Sequence, residues 1–196
     1  MESQQPMMEL IPPPLHPLLQ LLLIVLVLPA AWFDFRSRRI PNRLCVAGFL
    51  AGIAANAGLG GWGGLKTALA GFAVAFGLYF VLYLLHAMGA GDVKLMGAVG
   101  AIAGLHTWLV IFAATSIFGM IAALALALSK GRLGPTLWNV MYLVRELLAF
   151  RAPWMRHEHL DVKNPETLRL PHGVSIAAGT AAALALAWWK AAAQAK

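Results

Sequence analysis

Five stretches of this chain run without a charged side chain: residues 18–33, 44–65, 67–91, 95–129 and 173–189. Each approaches or exceeds the roughly 20 apolar residues that a spanning helix requires. Water is missing from a bilayer core, so backbone N–H and C=O groups there must satisfy one another, and helices do this within a single segment. The fourth run is too long for one crossing, and Gly104-Leu105-His106-Thr107 is its most polar and flexible break. The pattern predicts an all-α, polytopic membrane protein with about six transmembrane helices, over about residues 15–33, 44–59, 65–88, 92–104, 107–129 and 172–190. Residues 1–196 then form a single membrane-embedded domain with a cytoplasmic loop over about 130–171. Composition agrees: 60% hydrophobic and 12% charged residues leave too little polar surface to cover a soluble globule of this length.

The segment before the first run carries Glu2 and Glu9 but no Lys or Arg, so it lacks the basic start of a cleavable signal peptide, and the first run is expected to stay as a helix. Cys45 is the only cysteine, which excludes an intrachain disulfide and any CxxC zinc pair and reads as a small apolar residue near a helix start. Basic residues divide unevenly under a six-helix count. Arg36, Arg38, Arg39 and Arg43, then Lys94, then the seven between Lys130 and Arg169 share one side, against Lys66, Lys190 and Lys196 on the other. The positive-inside rule places the larger group in the cytoplasm and both termini outside. This asymmetry and attraction to anionic lipid account for the net charge of +7, which gives no case for nucleic-acid binding.

Two carboxylates fall at the cytoplasmic boundary. Asp92 closes the string Gly89-Ala90-Gly91-Asp92 and precedes Val93-Lys94-Leu95, while Asp34 ends the first run. Ionisable groups at such depth are costly and tend to serve a function. A pair of them suits acid–base hydrolysis, one carboxylate acting as base on a water and the other donating a proton. A helix of about 13 residues from Asp92 to Gly104 rises only about 20 Å, which would set Asp92 below the membrane surface. Gly89 and Gly91 suit the irregular backbone such a position needs. Pro29 would loosen the end of the first helix, and Pro41 is placed to begin the next. The arginines after Asp34 favour its ionised form and leave Asp92 as carrier of a shared proton.

Each aspartate alone has a plainer reading, Asp92 as a helix N-cap and Asp34 as a solvated carboxylate among arginines. Lys94 reads equally as a tuning or substrate-contacting group and as a snorkelling lysine. His157-Glu158-His159 lacks further ligands and reads as an exposed loop rather than a metal site. Residues 135–150 place Asn139, Tyr142, Arg145 and Glu146 on one helical face and Leu137, Met141, Val144 and Leu148 on another, as a cytoplasmic interfacial helix would. Gly48, Gly52, Gly71, Gly77, Gly97, Gly100 and Gly104 are expected to let helices pack closely.

Taken in order, an aspartate ending the first span, Arg38-Arg39-Ile40-Pro41-Asn42 just after it, the GxGDVKL string and Leu170-Pro171-His172-Gly173-Val174 opening the last run resemble the prepilin peptidases, which are GxGD-type membrane aspartic proteases. The resemblance spans nearly the whole chain. It implies Asp34 and Asp92 as catalytic residues, supported by Gly89, Gly91, Lys94, Pro41 and Asn42, with no cofactor or metal. It also implies a bacterial cytoplasmic (inner) membrane location and pilin-like precursors as substrates, cut at the cytoplasmic face behind a short basic leader. Larger members carry a CxxC-containing domain after the first span and also methylate the new N-terminus. Here that stretch is short, so the chain is similar to the compact members serving tight-adherence pili, and N-methylation is not expected. Three competing readings stand beside it. One is a small transporter or channel using Asp92 for a proton or cation, though the span interiors are nearly free of charge. The second is a noncatalytic subunit of a pilus or secretion assembly. The third is a presenilin-like protease cutting within a membrane span, which shares GxGD but not the other two motifs.

Overall fold

The computed structural model describes residues 11–85, 88–131, 133–134, 138, 141, 145 and 171–195. Its long elements are four helices: α1 (Pro17–Ser37), α2 (Asn42–Leu84), α3 (Ala90–Ser129) and α4 (His172–Gln194). All four are long and apolar enough to cross a membrane. The architecture is all-α among the described residues. Much of the expected interfacial helix over 135–150, and His157-Glu158-His159, lie outside them.

Local chemistry sets the ends of α1. Pro17 stands in the first turn, where a missing N–H costs nothing, and His16 Nδ1 accepts from Leu18 N at 3.3 Å. The helix closes where Arg38 enters the left-handed region at φ 54° and donates its N–H to Asp34 O at 2.9 Å. The turn leaves a short link to Pro41, which caps α2 with extended backbone.

Neither long helix is continuous. Gly61 leaves helical geometry inside α2 at φ 56°, ψ −136°, and Gly104 does so inside α3 at φ 71°, ψ 168°. Only glycine takes such angles without strain. At Gly61 the chain folds back: a Cβ built on Gly64 would collide with Asn56 O, although residues eight apart on a straight helix lie about 12 Å apart along the axis. Trp62 is exposed at this bend with Lys66 Nζ 5.9 Å from its ring centroid, a pairing suited to a membrane interface.

The first half of α3 is the centre of the molecule. Val93 and every residue from Leu95 to Gly104 are buried. Both halves of α2 pack on it through glycines: a Cβ on Gly52 would lie 2.9 Å from Ile102 N, and Gly71 and Gly100 meet backbone to backbone. Gly97 admits the Phe72 ring, and Gly48 admits Leu26 of α1. Gly77 differs from expectation, with no atom within 4 Å of its would-be Cβ.

The break at Gly104 strips Ala101 and Ile102 of their next-turn partners, because a helix end orphans its last carbonyls. Asn56 supplies the replacement. Its Nδ2 lies 3.0 Å from Ala101 O and 3.1 Å from Ile102 O, as well as 3.0 Å from Gly52 O of its own helix. The second half of α3 carries α4, where Gly179 lies against the backbone of Thr115. Helix α4 runs antiparallel to α1, tied at one end by Trp188 Nε1 donating to Gln20 Oε1 at 2.9 Å and at the other by Gly173 and Asp34. Leu21, Val25, Leu28 and Trp32 stay exposed along α1, as lipid-facing side chains do.

Candidate active site

Asp34 and Asp92 lie far apart in sequence and open into the same cavity, of about 600 Å³. The α1–α2 link walls one side of it and the start of α3 the other.

Asp34 sits in the last turn of α1, buried at 8% exposure. Its Oδ2 accepts the N–H of Gly173 at 2.7 Å. The approach is close enough that a Cβ on Gly173 would lie 3.0 Å from Asp34 Cβ and 3.1 Å from Oδ2, so a glycine is needed there. Gly173 is the second residue of α4, whose first N–H groups have no partner inside the helix. Pro171, the residue that caps α4, makes no side-chain cap. The Asp34 carboxylate therefore does for α4 what a capping side chain does elsewhere, across 139 residues of sequence.

Asp92 is the third residue of α3, not its N-cap, which is Gly89. Its Oδ2 accepts the Gly89 N–H at 3.3 Å, and its own N–H returns to Gly89 O at 3.1 Å. Both carboxylates thus stand at helix N-termini, where unpaired N–H groups and the macrodipole suit anionic oxygen.

The remaining residues singled out in the sequence gather around the pair. Pro41, Asn42, Gly89, Gly91 and Lys94 all line the cavity. Lys94 Nζ donates to Asn42 Oδ1 at 2.9 Å, joining the first residue of α2 to the fifth residue of α3. Gly91 lets Ile40 of the link lie at ordinary contact distance, 3.4 Å from the Cβ position. Arg38 and Arg39 add positive charge to the same walls.

Three residues that sequence reasoning passed over complete the surroundings. Gly173 and His172 belong to a string noted for its resemblance and given no role. Tyr79, in α2, is 1% exposed and brings its OH to 3.4 Å from His172 Nε2, while its ring packs edge-on to Phe112 of α3. A glycine following proline at a helix start was the available signal for a close approach there, and a tyrosine deep in an apolar run was the signal for a polar partner.

Helices of membrane-spanning character that bring two carboxylates to one cavity define a helical membrane protein with a paired-carboxylate site. The comparisons narrow that class. Residues 21–124, which include both aspartates, match the type IV leader peptidase family, and the chain belongs to it. A prepilin leader peptidase/N-methyltransferase of Myxococcus xanthus (strain DK1622) is 31% identical over 126 residues, covering 61% of this chain and 37% of that protein. The chain thus aligns with little more than a third of that relative's length. No solved structure matches the chain.

Proposed function

We propose that this protein is a membrane aspartic endopeptidase that removes the short basic leader from prepilin-like precursors at the cytoplasmic face of a bacterial inner membrane. The observation that carries this reading is the convergence of Asp34 and Asp92 on one cavity beside a basic link. Family membership and the relative's printed name support it. The interruptions at Gly61 and Gly104 divide α2 and α3 into two crossings each, which with α1 and α4 makes six crossings in one membrane-embedded domain. The link from Arg38 to Pro41 and the start of α3 then share the cytoplasmic side.

In the proposed reaction the two carboxylates, which line one cavity, hold one proton between them, since like charges that face each other resist joint ionisation. Asp34, held by the Gly173 N–H, is assigned as the base that takes a proton from the attacking water. Asp92 polarises the scissile carbonyl oxygen and then donates its proton. The hydroxyl formed from water adds to the carbonyl carbon, the C–N bond breaks, and the new amine leaves with a proton. Gly89 and Gly91 shape the start of α3, Pro41 fixes the start of α2, and the Asn42–Lys94 hydrogen bond holds the two walls in register. The precursor's apolar segment lies in the bilayer, which brings its leader junction to the cavity.

Co-expression of a pilin precursor with the wild type and with Asp34→Asn and Asp92→Asn variants tests the reading, with membrane levels checked alongside. The wild type is expected to process the precursor, and each variant to lose roughly 10²-fold or more in rate. Retained processing in either variant would remove that aspartate from the dyad. Failure of the wild type on several precursors would favour a transport or scaffold role. We propose the peptidase activity alone: the link between α1 and α2 is short and the sequence holds a single cysteine. Mature subunit released by the purified protein in the presence of S-adenosylmethionine should therefore show an unmethylated N-terminal mass.

A further inference from the structure

We infer that His172 and Tyr79 are positioning residues for Asp34: their contact fixes the first turn of α4, and that turn aims the Gly173 N–H at the carboxylate. This deepens the proposed peptidase reading and rests on it for the role of Asp34.

The first turn of α4 meets two other helices directly and a third through Tyr79. Gly173 N–H reaches Asp34 Oδ2 of α1 at 2.7 Å. His172, its neighbour, meets Tyr79 of α2 at 3.4 Å from Nε2 to OH, with ring centroids 6.0 Å apart and planes tilted by 40°. Tyr79 is in turn held by Phe112 of α3 at 6.1 Å, and Phe112 stacks on the fully buried Trp108 at 5.4 Å. Among the described residues, this helix start with no capping side chain of its own has Asp34 and the His172–Tyr79 pair as the side-chain polar tethers of its first turn. Loss of the second contact leaves the first turn hinged only on the carboxylate it is meant to orient. One oxygen of Asp34 is engaged by Gly173 while the carboxylate lines the cavity, so a tilt of α4 by a fraction of an ångström changes how that carboxylate faces its water. Misplacement on this scale costs catalysis well before it costs folding.

His172 and Tyr79 are absent from the cavity walls, so they are expected to act on turnover and leave substrate affinity alone. The test uses the purified full-length protein in detergent. The variants are Tyr79→Phe, which keeps the ring, His172→Leu, which removes the polar partner, and His172→Gln, which restores one. Cleavage of a precursor gives kcat and KM. A carboxyl-reactive carbodiimide, with the modified site located by mass spectrometry, reads the setting of Asp34 without any substrate.

Expected are a fall in kcat of about tenfold in Tyr79→Phe and His172→Leu with KM within about twofold of wild type, and substantial recovery in His172→Gln. Asp34 modification should quicken in the first two variants and return toward the wild-type rate in the third. Wild-type modification rates at Asp34 in both Tyr79→Phe and His172→Leu would overturn the inference, whatever the cleavage assay shows. So would a His172→Gln variant as altered at Asp34 as His172→Leu. A wild type that cleaves no precursor but shows the expected modification pattern would instead sink the peptidase reading and leave the positioning contact standing.

Discussion

Asn56 is buried in the middle of an apolar helix, with its amide directed at three carbonyl oxygens. Two of those oxygens exist as acceptors only because Gly104 breaks α3, so the side chain replaces hydrogen bonds that the break removes. In lipid no water takes over if it is lost. Asn56→Leu, which keeps the branched side-chain skeleton and removes the amide, should lower stability by about 1–2 kcal/mol, read as a lower thermal midpoint of the detergent-solubilised protein. A midpoint unchanged in Asn56→Leu would mean that the two carbonyls find other partners. The residue scale also divides what the sequence discloses from what it hides. Asp34 and Asp92 were visible because a carboxylate at the edge of an apolar run is costly wherever the chain folds. The Gly173 contact was not, because nothing in either local sequence encodes which helix end will cap against which carboxylate across the bundle. Asn56 lay between these cases: an isolated polar residue in the 44–65 run was a signal for a buried partner, but the acceptors appear only once α3 is broken beside it.

Helices α2 and α3 are shaped by glycines of three kinds, and substitution should separate them. Gly104 combines positive φ with crowding, since an added Cβ would lie 2.6 Å from Thr67 Cγ2. Gly61 has positive φ with no atom within 4 Å, and Gly58 is helical and equally open. Gly104→Ala should therefore be the most destabilising, with roughly 1–3 kcal/mol of backbone strain and a steric cost on top. Gly61→Ala carries the strain alone, and Gly58→Ala should be stabilising by about 0.5–1 kcal/mol. Thermal midpoints in the order Gly58→Ala, wild type, Gly61→Ala, Gly104→Ala are expected, and a Gly104→Ala protein as stable as wild type would contradict the broken geometry of α3. Element existence was legible here because uncharged runs of this length have few alternatives in a bilayer. The interruption near Gly104 was legible too, from a run too long for one crossing and its polar break. Individual glycine roles were less so: Gly71 and Gly100 meet at a backbone contact while Gly77 faces open space, and only the packing distinguishes them.

Across the whole molecule, the ends of α1 and α4 set a scale for the membrane. Gln20 and Asp34 are separated by about 21 Å of helix rise, and so nearly are Gly173 and Trp188, so one antiparallel pair is pinned at both levels. Asp34, the link to Asn42 and the start of α3 lie together at one level. If the bends at Gly61 and Gly104 each reverse the chain across the bilayer, they lie on the face opposite that cavity. The sequence reaches the same topology by a separate route, since the basic residues around Arg36 to Arg43 and Lys94 fall on the cavity side while Lys66 falls near the first bend. Single cysteines introduced at Ser37, Gly61, His106 and Gly131 in a Cys45→Ala background, each exposed in the structure, test it with a membrane-impermeant thiol reagent on intact cells. Gly61→Cys can be replaced by Trp62→Cys if the positive φ compromises folding. Labelling is expected at 61 or 62 and at 106, and protection until the membrane is opened is expected at 37 and 131. Protection at both bends would leave α2 and α3 without outward turns. Labelling at Ser37 would place the two aspartates on the outer face, where a cytoplasmic leader could not reach them.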